Sequence, residues 1–441
     1  MRVIIIGAGH DGFYLAERLT AEGQDVVVVE VDEARASEVQ DRLDCLVIHG
    51  NGASPGVLRR AGAARAGLVL AVTDSDGANV MACHSAKELG ARLTVARVED
   101  TELREVGPGL GVDVMIDARQ SVAREIRALV RHPGVSDLVE FADGSLILVG
   151  GRAHADAAFA GKTVAEMRES ARGRWVLVAT VRDGRPVVGR GNTRVEAGDH
   201  VLLMVKAGDV PLAIELLGIV RQPVRRVVVL GGSRVAQMTA GKLSSDGYEV
   251  VLIESDPVRS REIARNTDIM VIGGDPTEPE LLDRLELGDG DVVVALSGWD
   301  EVNLMGCMVA RAVGAPWTIA RFGRFAVAGL LKDVGIDATV SSRVAAANEI
   351  LRYVRRDRIL SVATFKDTRA EALEIEVDPA APAVGKTVRD LKVPDGAVIG
   401  GFVRAGVAFL PIGDTVVEGG DRLVVLAVPG AIEDVERMFI G

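Results

Sequence analysis

The stretch Arg2-Val3-Ile4-Ile5-Ile6-Gly7-Ala8-Gly9-His10-Asp11-Gly12 decides the fold. Val3-Ile4-Ile5-Ile6 is an apolar burst that reads as a strand buried on both faces. It runs into a G-x-G-x-x-G, and an amphipathic helical pattern follows over residues 12–22. A glycine triad alone is a weak signal; a strand before it and a helix after it supply the context the motif needs. Gly7 allows the tight turn, and Gly9 lacks the Cβ that would block an approaching pyrophosphate. Gly12 lets the helix lie against the sheet, with its N-terminal amides toward the phosphates. Ala8, His10 and Asp11 fill the same loop and are candidate contacts with it. Asp11 has two readings that the sequence leaves open. It caps the helix through the free amides, or it sits near the phosphates and weakens anion binding.

Glu30 ends the next apolar run, Val26-Val27-Val28-Val29. A carboxylate there accepts hydrogen bonds from ribose hydroxyls. It would repel a 2′-phosphate, and no Arg stands beside it (Val31, Asp32), so NADP is disfavoured. Further residues fall at carboxyl ends of the expected strands, where open α/β sheets bind ligands: Gly50-Asn51, Thr73-Asp74-Ser75-Asp76 and Arg97. Asp74 and Asp76 read as helix-cap and turn residues. Arg97 reads either as a cation facing a phosphate or as a solvated strand-end charge.

The chain then repeats itself at an offset of 224 positions, the distance from Gly7 to Gly231. Glu30 meets Glu254, Asp32 meets Asp256, Asn79 meets Asn303, Cys83 meets Cys307, Arg97 meets Arg321 and Asp113 meets Asp337. So long a period is two copies of a whole folding unit. The second loop is Gly231-Gly232-Ser233-Arg234-Val235-Ala236, in which the second and third glycines have become Ser233 and Ala236. Ser233 puts a Cβ where the pyrophosphate would pass; Arg234 offers compensating charge, and Glu254 is kept. Gly231, Ser233 and Glu254 are therefore the candidate contacts of a second site, against the plainer reading that this copy keeps only the fold.

Strands are predicted near 2–6, 26–30, 46–48, 68–72, 94–97 and 114–116, with helices between them, among them 79–89. Such alternation predicts a doubly wound parallel sheet. Lys87 and His84 are expected on the solvated face of the 79–89 helix. A helix over 120–131 follows, and the plan recurs from 227 to about 339 with a helix over 344–355. Near 138 and 361 the alternation stops. Trp175–Val181, Arg182-Asp183-Gly184-Arg185 and Pro186-Val187-Val188 read as a hairpin with an Asp-Gly turn, and 398–404 with 407–410 reads as its counterpart. Glu196-Ala197-Gly198-Asp199 and Glu418-Gly419-Gly420-Asp421 are matching turns before a last strand. The expected fold is thus α/β, a duplicated Rossmann-like unit with a small α+β unit after each copy. The expected domains are 1–133, 134–222, 223–357 and 358–441, with the copies joined closely at Gln222-Pro223-Val224.

Of 441 residues, 48% are hydrophobic, yet no apolar run reaches the ~18 residues that cross a bilayer. Met1-Arg2-Val3 reads as the start of a strand, so no signal peptide is expected. A formal net charge of −12 argues against a nucleic-acid partner. Cys45, Cys83 and Cys307 form no C-x-x-C, which fits a reducing compartment, and the six histidines show no metal-ligand spacing. No metal site and no catalytic residue is assigned.

Two Rossmann units with small α+β partners, the G-A-G-x-x-G loop, V-V-V-V-E-V-D, A-V-T-D-S-D-x-x-N-x-x-A-C and the closing V-E-A-G-D resemble the TrkA family. These are cytosolic regulatory subunits of bacterial Trk-type potassium uptake systems, and the repeated units are similar to RCK (KTN) domains. The resemblance covers essentially the whole chain. It implies NAD(H) and adenine-nucleotide (ATP/ADP) binding at Gly7, Gly9, Gly12, Glu30, Asp32, Asn51, Thr73 and Arg97. It also implies a homo-oligomeric ring, a tetramer of doubled chains, on the inner face of the membrane, where it gates a membrane-embedded Trk subunit. Asp11, Ser233 and Ala236 depart from the family pattern. An NAD-dependent oxidoreductase is the rival from another class, and it needs an acid or base beside the nicotinamide. His154 and His200 in the first small unit offer little toward it. An RCK regulator of another potassium channel or efflux system is the nearer alternative.

Overall fold

The computed structural model describes residues 1–171, 173–182, 185–219, 223–323, 334–354, 359–364 and 370–441. The first Rossmann unit contains β1 (Arg2–Ile6), α1 (His10–Ala21), β2 (Asp25–Glu30), α2 (Glu33–Arg42), β3 (Leu46–His49), α3 (Pro55–Ala61), β4 (Leu68–Ala71), α4 (Asp76–Glu88), β5 (Thr94–Arg97), α5 (Thr101–Val106) and β6 (Val114–Ile116). Its strands are all parallel, in the order β3-β2-β1-β4-β5-β6. The order reverses between β1 and β4, and this is the crevice where doubly wound sheets bind ligands. The strands are apolar on both faces because helices cover both. Ile4, Val27, Val69 and Ala96 share one core with Leu58 of α3 and Cys83 and Ala86 of α4.

Helix starts lie a few residues upstream of the expected positions. α1 begins at His10 rather than 12, and α4 begins at Asp76 rather than 79. The α4 cap is Ser75, whose hydroxyl accepts from Ala78 N at 3.3 Å; neither Asp74 nor Asp76 caps it. On the face expected to be solvated, His84 and Lys87 are half-buried and partnered. Lys87 is ion-paired with Asp113 at 2.8 Å, and His84 Nδ1 lies 2.8 Å from Leu110 O.

After α6 (Ala118–Arg131) comes an antiparallel sheet of β7 (Asp137–Phe141), β8 (Leu146–Arg152), β9 (Trp175–Arg182), β10 (Arg185–Val188) and β11 (His200–Lys206), with α7 (Val164–Ala171) and α8 (Val210–Leu216). β9 and β10 pair as the expected hairpin; the Asp183-Gly184 turn lies outside the described residues, as does Gln222 of the joint.

The second copy repeats the plan with β12 (Arg226–Leu230), α9 (Arg234–Ser245), β13 (Glu249–Glu254), α10 (Pro257–Asn266), β14 (Met270–Gly273), α11 (Pro279–Asp283), β15 (Asp291–Ala295), α12 (Asp300–Ala312), β16 (Trp317–Phe322) and β17 (Ala338–Ser341), in the same strand order. α13 (Ser342–Val354) follows; Arg355, where the helix was expected to end, is outside the described residues. The last sheet holds β18 (Ile359–Thr364), β19 (Glu371–Glu376), β20 (Ala397–Arg404), β21 (Val407–Phe409) and β22 (Arg422–Ala427), followed by α14 (Ile432–Phe439).

The chain divides into two compact units, and the helices after the Rossmann sheets decide how. One unit is Met1–Ser121 with α13 from the second half, which packs on α1 and β6; Ser121 Oγ donates to Glu349 Oε2 at 3.0 Å. The other unit holds the rest, including α6 from Val122 on, where Arg127 pairs with Asp246 at the end of α9. In this second unit the two small sheets share a core: Leu146, Leu148, Leu202 and Met204 meet Ala372, Val403, Val424 and Leu426. Arg422 crosses between them to Asp143 at 3.0 Å.

Candidate functional site

The glycine loop is held from beneath by Glu30. Its side chain is buried. One carboxylate oxygen accepts from Ala8 N, and the other accepts from Val31 N at 2.8 Å and Asp32 N at 2.9 Å. Glu254 repeats this, accepting from Gly232 N at 2.6 Å and Asp256 N at 2.7 Å. The sequence reading gave Glu30 to a ribose. In the structure its first work is to fix the loop, and three of a carboxylate's roughly four acceptor positions are already taken.

Gly7 adopts φ +98°, and a Cβ there would come within 2.9 Å of Thr73 Cγ2 in the loop after β4. Gly12 is the tighter position, because a Cβ would lie 1.9 Å from Gly7 O. At Gly9 a Cβ would meet nothing within 4 Å. So Gly7 and Gly12 serve the fold, whereas the space over Gly9 is open. Gly9 is also the N-cap of α1, and no side chain caps that helix. His10 is exposed beside it. An uncapped helix start with open space above it is a ready anion site.

The loop after β4 is locked by Asn79. Its carbonyl oxygen accepts from Thr73 N at 2.8 Å and Thr73 Oγ1 at 2.7 Å, and its amide donates to Arg97 O at 2.8 Å. In the sequence Asn79 is a repeated residue and part of a motif, with no role assigned to it. In the second copy Asn303 makes the same links to Ser297 N and Arg321 O. Asp32 caps α2 by accepting from Arg35 N, and Asn51 Oδ1 accepts from Ala53 N, both at 2.9 Å. Both side chains are therefore engaged locally. Asp76 accepts from Glu99 N and Asp100 N and ties the loop after β5 to α4.

Arg97 is neither solvated nor open. Its side chain is 16% exposed and ion-paired with Asp11, which itself is 20% exposed. The other terminal nitrogen donates to Thr73 O and Asp74 Oδ1, each at 3.1 Å, while Nε is buried without a partner. Burial by itself would lower the Arg97 pKa. The Asp11 carboxylate, with help from Glu99 and Asp74, outweighs that and raises it. Of the two readings of Asp11, helix capping is corrected: the carboxylate turns to Arg97.

The second loop differs where its sequence differs. Ser233 caps α9 with its own hydroxyl, which accepts from Ala236 N at 3.2 Å and donates to Leu296 O at 2.6 Å. Gln237 Nε2 donates to Gly232 O at 2.9 Å. Arg234 is exposed. The position of Asp11 is taken by Val235, which is buried. Gly231, Ser233 and Glu254 thus come together as the first loop's counterparts do, around a helix start that is already capped.

A family model for the TrkA-N domain matches residues 3–118 and 227–342, and one for the TrkA-C domain matches 152–218 and 372–440. The chain belongs to the TrkA family. Within it, a Trk system potassium uptake protein TrkA homolog from Archaeoglobus fulgidus is 34% identical, with 100% of both chains covered. The Trk system potassium uptake protein TrkA of Halomonas elongata is 32% identical over 100% of this chain and 98% of that protein. Among solved structures, the GsuK channel bound to NAD shares the fold, with a TM-score of 0.62 at 18% identity over 99% of this chain and 78% of that one. The doubled TrkA-N and TrkA-C arrangement accounts for both Rossmann sheets and both small sheets. Among the described residues, no helix is long and apolar enough to cross a membrane.

Proposed function

We propose that this chain is the regulatory subunit of a Trk-type potassium uptake system, and that nucleotide binding to its first Rossmann unit controls a membrane-embedded partner. Its domains are 1–133, 134–222, 223–357 and 358–441. It works without catalysis, on the cytoplasmic side of the membrane, as a homo-oligomeric ring of about four chains. The full-length likeness to Trk system proteins supports the transport assignment. The observation that carries the choice of site is the contrast between the two helix starts, uncapped at Gly9 and capped by Ser233.

In this reading the ligand's pyrophosphate lies over Gly9, against the amides of the first turn of α1. Gly7 and Gly12 hold the turn, and Ala8, His10, Asp11, Glu30, Asp32, Asn51, Thr73 and Arg97 line it. NAD(H) and adenine nucleotides are the ligands. Gly231, Ser233 and Glu254 form the weaker second position. Gating needs a ligand that prefers one ring conformation; a hundredfold preference supplies about 2.7 kcal/mol per site. Arg97 is engaged by the carboxylates of Asp11 and Asp74.

Calorimetric titration of the purified full chain with NAD⁺, NADH, ADP and ATP tests the reading, with Gly9→Asp as the control. Binding at about one site per chain that Gly9→Asp abolishes is the expected outcome. Absence of binding for every nucleotide would leave both sheets as scaffold. Turnover of a hydride-transfer substrate would move the chain to the oxidoreductase class. Restoration of regulated potassium uptake in cells lacking this subunit separates a Trk role from service to another channel.

A further inference from the structure

Asp11 stands in the first turn of α1, the turn that faces the candidate phosphate position. It approaches Arg97 from 86 residues away in the sequence, so only the fold brings the pair together. Both side chains are largely buried, and the pair is shielded from solvent more than a surface ion pair is. Asp74 adds a second carboxylate to the same guanidinium at 3.1 Å.

The second copy supplies an internal comparison. Arg321, the counterpart of Arg97, donates to Ser297 O at 3.1 Å, as Arg97 donates to Thr73 O at 3.1 Å. It does so with Val235 at the position of Asp11. The arginine's bond to that backbone carbonyl therefore does not depend on a carboxylate at position 11. What Asp11 adds to the first copy is charge. The positive features there are a helix N-terminus, worth about half an elementary charge, and Arg97. Asp11 and Asp74 oppose them with two negative charges.

Taking the nucleotide site proposed above as given, we propose that Asp11 is a built-in counter-anion that a ligand phosphate must displace from Arg97. By its charge it selects dinucleotides with a pyrophosphate bridge over nucleoside di- and triphosphates. A bridging pyrophosphate brings two negative charges next to the carboxylate; free ADP and ATP bring more. Each further ligand charge held near the carboxylate weakens binding at least roughly threefold, the figure for a water-like medium, which a partly buried site exceeds.

The test is calorimetric titration of the full chain, without magnesium and at fixed ionic strength, with NAD⁺, ADP and ATP. Wild type is compared with Asp11→Asn and with Asp11→Val, the residue that the second copy carries at this position. Wild type is expected to bind in the order NAD⁺, ADP, ATP. Both variants are expected to bind all three more tightly, with the gain for ATP at least about threefold larger than that for NAD⁺. Equal gains for every ligand, unchanged affinities, or weaker binding in a variant whose thermal unfolding matches wild type would overturn the role of Asp11 and leave the site standing. Failure of all three proteins to bind any nucleotide would overturn the site and this inference together.

Discussion

The Ser233 hydroxyl donates to the Leu296 carbonyl oxygen across 2.6 Å and so joins the second glycine loop to the end of the strand beside it. The Ser233 hydroxyl oxygen in turn accepts from Ala236 N. In the first copy Gly9 does neither, and the helix start is left to a ligand. Ser233→Gly is expected to destabilise the chain by about 1–1.5 kcal/mol, a few tenths from the cap, where glycine is acceptable, and the rest from the lost bond to Leu296 O. It is also expected to raise nucleotide stoichiometry from about one to about two per chain. Stoichiometry that stays at one in a folded variant would show that Ala236, not the cap, closes the second loop.

Gly9 and Gly12 separate ligand space from fold. A methyl group at Gly12 would collide with the Gly7 backbone, which has little room to yield. Gly12→Ala should cost about 2–3 kcal/mol in urea denaturation. Gly9→Ala meets nothing within 4 Å and should cost about 1 kcal/mol or less, yet weaken nucleotide binding. Equal stability losses at the two positions would contradict this division.

Asp199 is buried and takes a two-pronged ion pair from Arg182 as well as a hydrogen bond from Glu196 N at 2.8 Å. Burial acts to raise its pKa; the Arg182 and Glu196 hydrogen bonds outweigh it and hold the carboxyl below the usual carboxylate range. A depressed folded pKa means that this stability is present above the unfolded value of about 4 and is lost as pH falls through the folded value. Asp199→Asn should therefore flatten the fall of the thermal midpoint below about pH 4. A midpoint profile that keeps its acid slope in the variant would remove Asp199 as the cause.

Of the three cysteines, Cys83 and Cys307 are fully buried, and burial pushes both thiols up to about 12. Cys45 is partly exposed. A thiol-specific reagent at pH 8 should label Cys45 alone in the native chain and all three cysteines in denaturant. Rapid labelling of Cys83 in the native state would mean that α4 opens readily.

Much of this was legible in the chain itself. The bursts Val3-Ile4-Ile5-Ile6 and Val26-Val27-Val28-Val29 became central parallel strands, because residues apolar on both faces must be covered on both sides. The Gly-Asp turns before the last strands proved to be anchors: Asp199 and Asp421 each bind an arginine on the neighbouring strand, Arg182 and Arg404. Less legible was the work of single polar groups. Asn79 stands in a recognisable motif but with no role readable from it, yet it locks two loops, and Glu30 turned inward to the loop amides. A side chain's partner depends on which atoms the fold brings near, and spacing along the chain does not encode that.

The sequence by itself determined the duplicated α/β plan, the position of the glycine loops and the loss of two glycines in the second. These follow from local rules: hydrophobic period, strand and helix propensity, and the steric freedom of glycine. Only the tertiary structure decided that Arg97 meets Asp11, that the Ser233 hydroxyl reaches Leu296 O, and that α13 returns to the first sheet while α6 continues into the other unit. Those contacts join residues far apart in the chain. Their energies depend on burial and on the charge already present at the meeting point, and both exist only once the chain has folded.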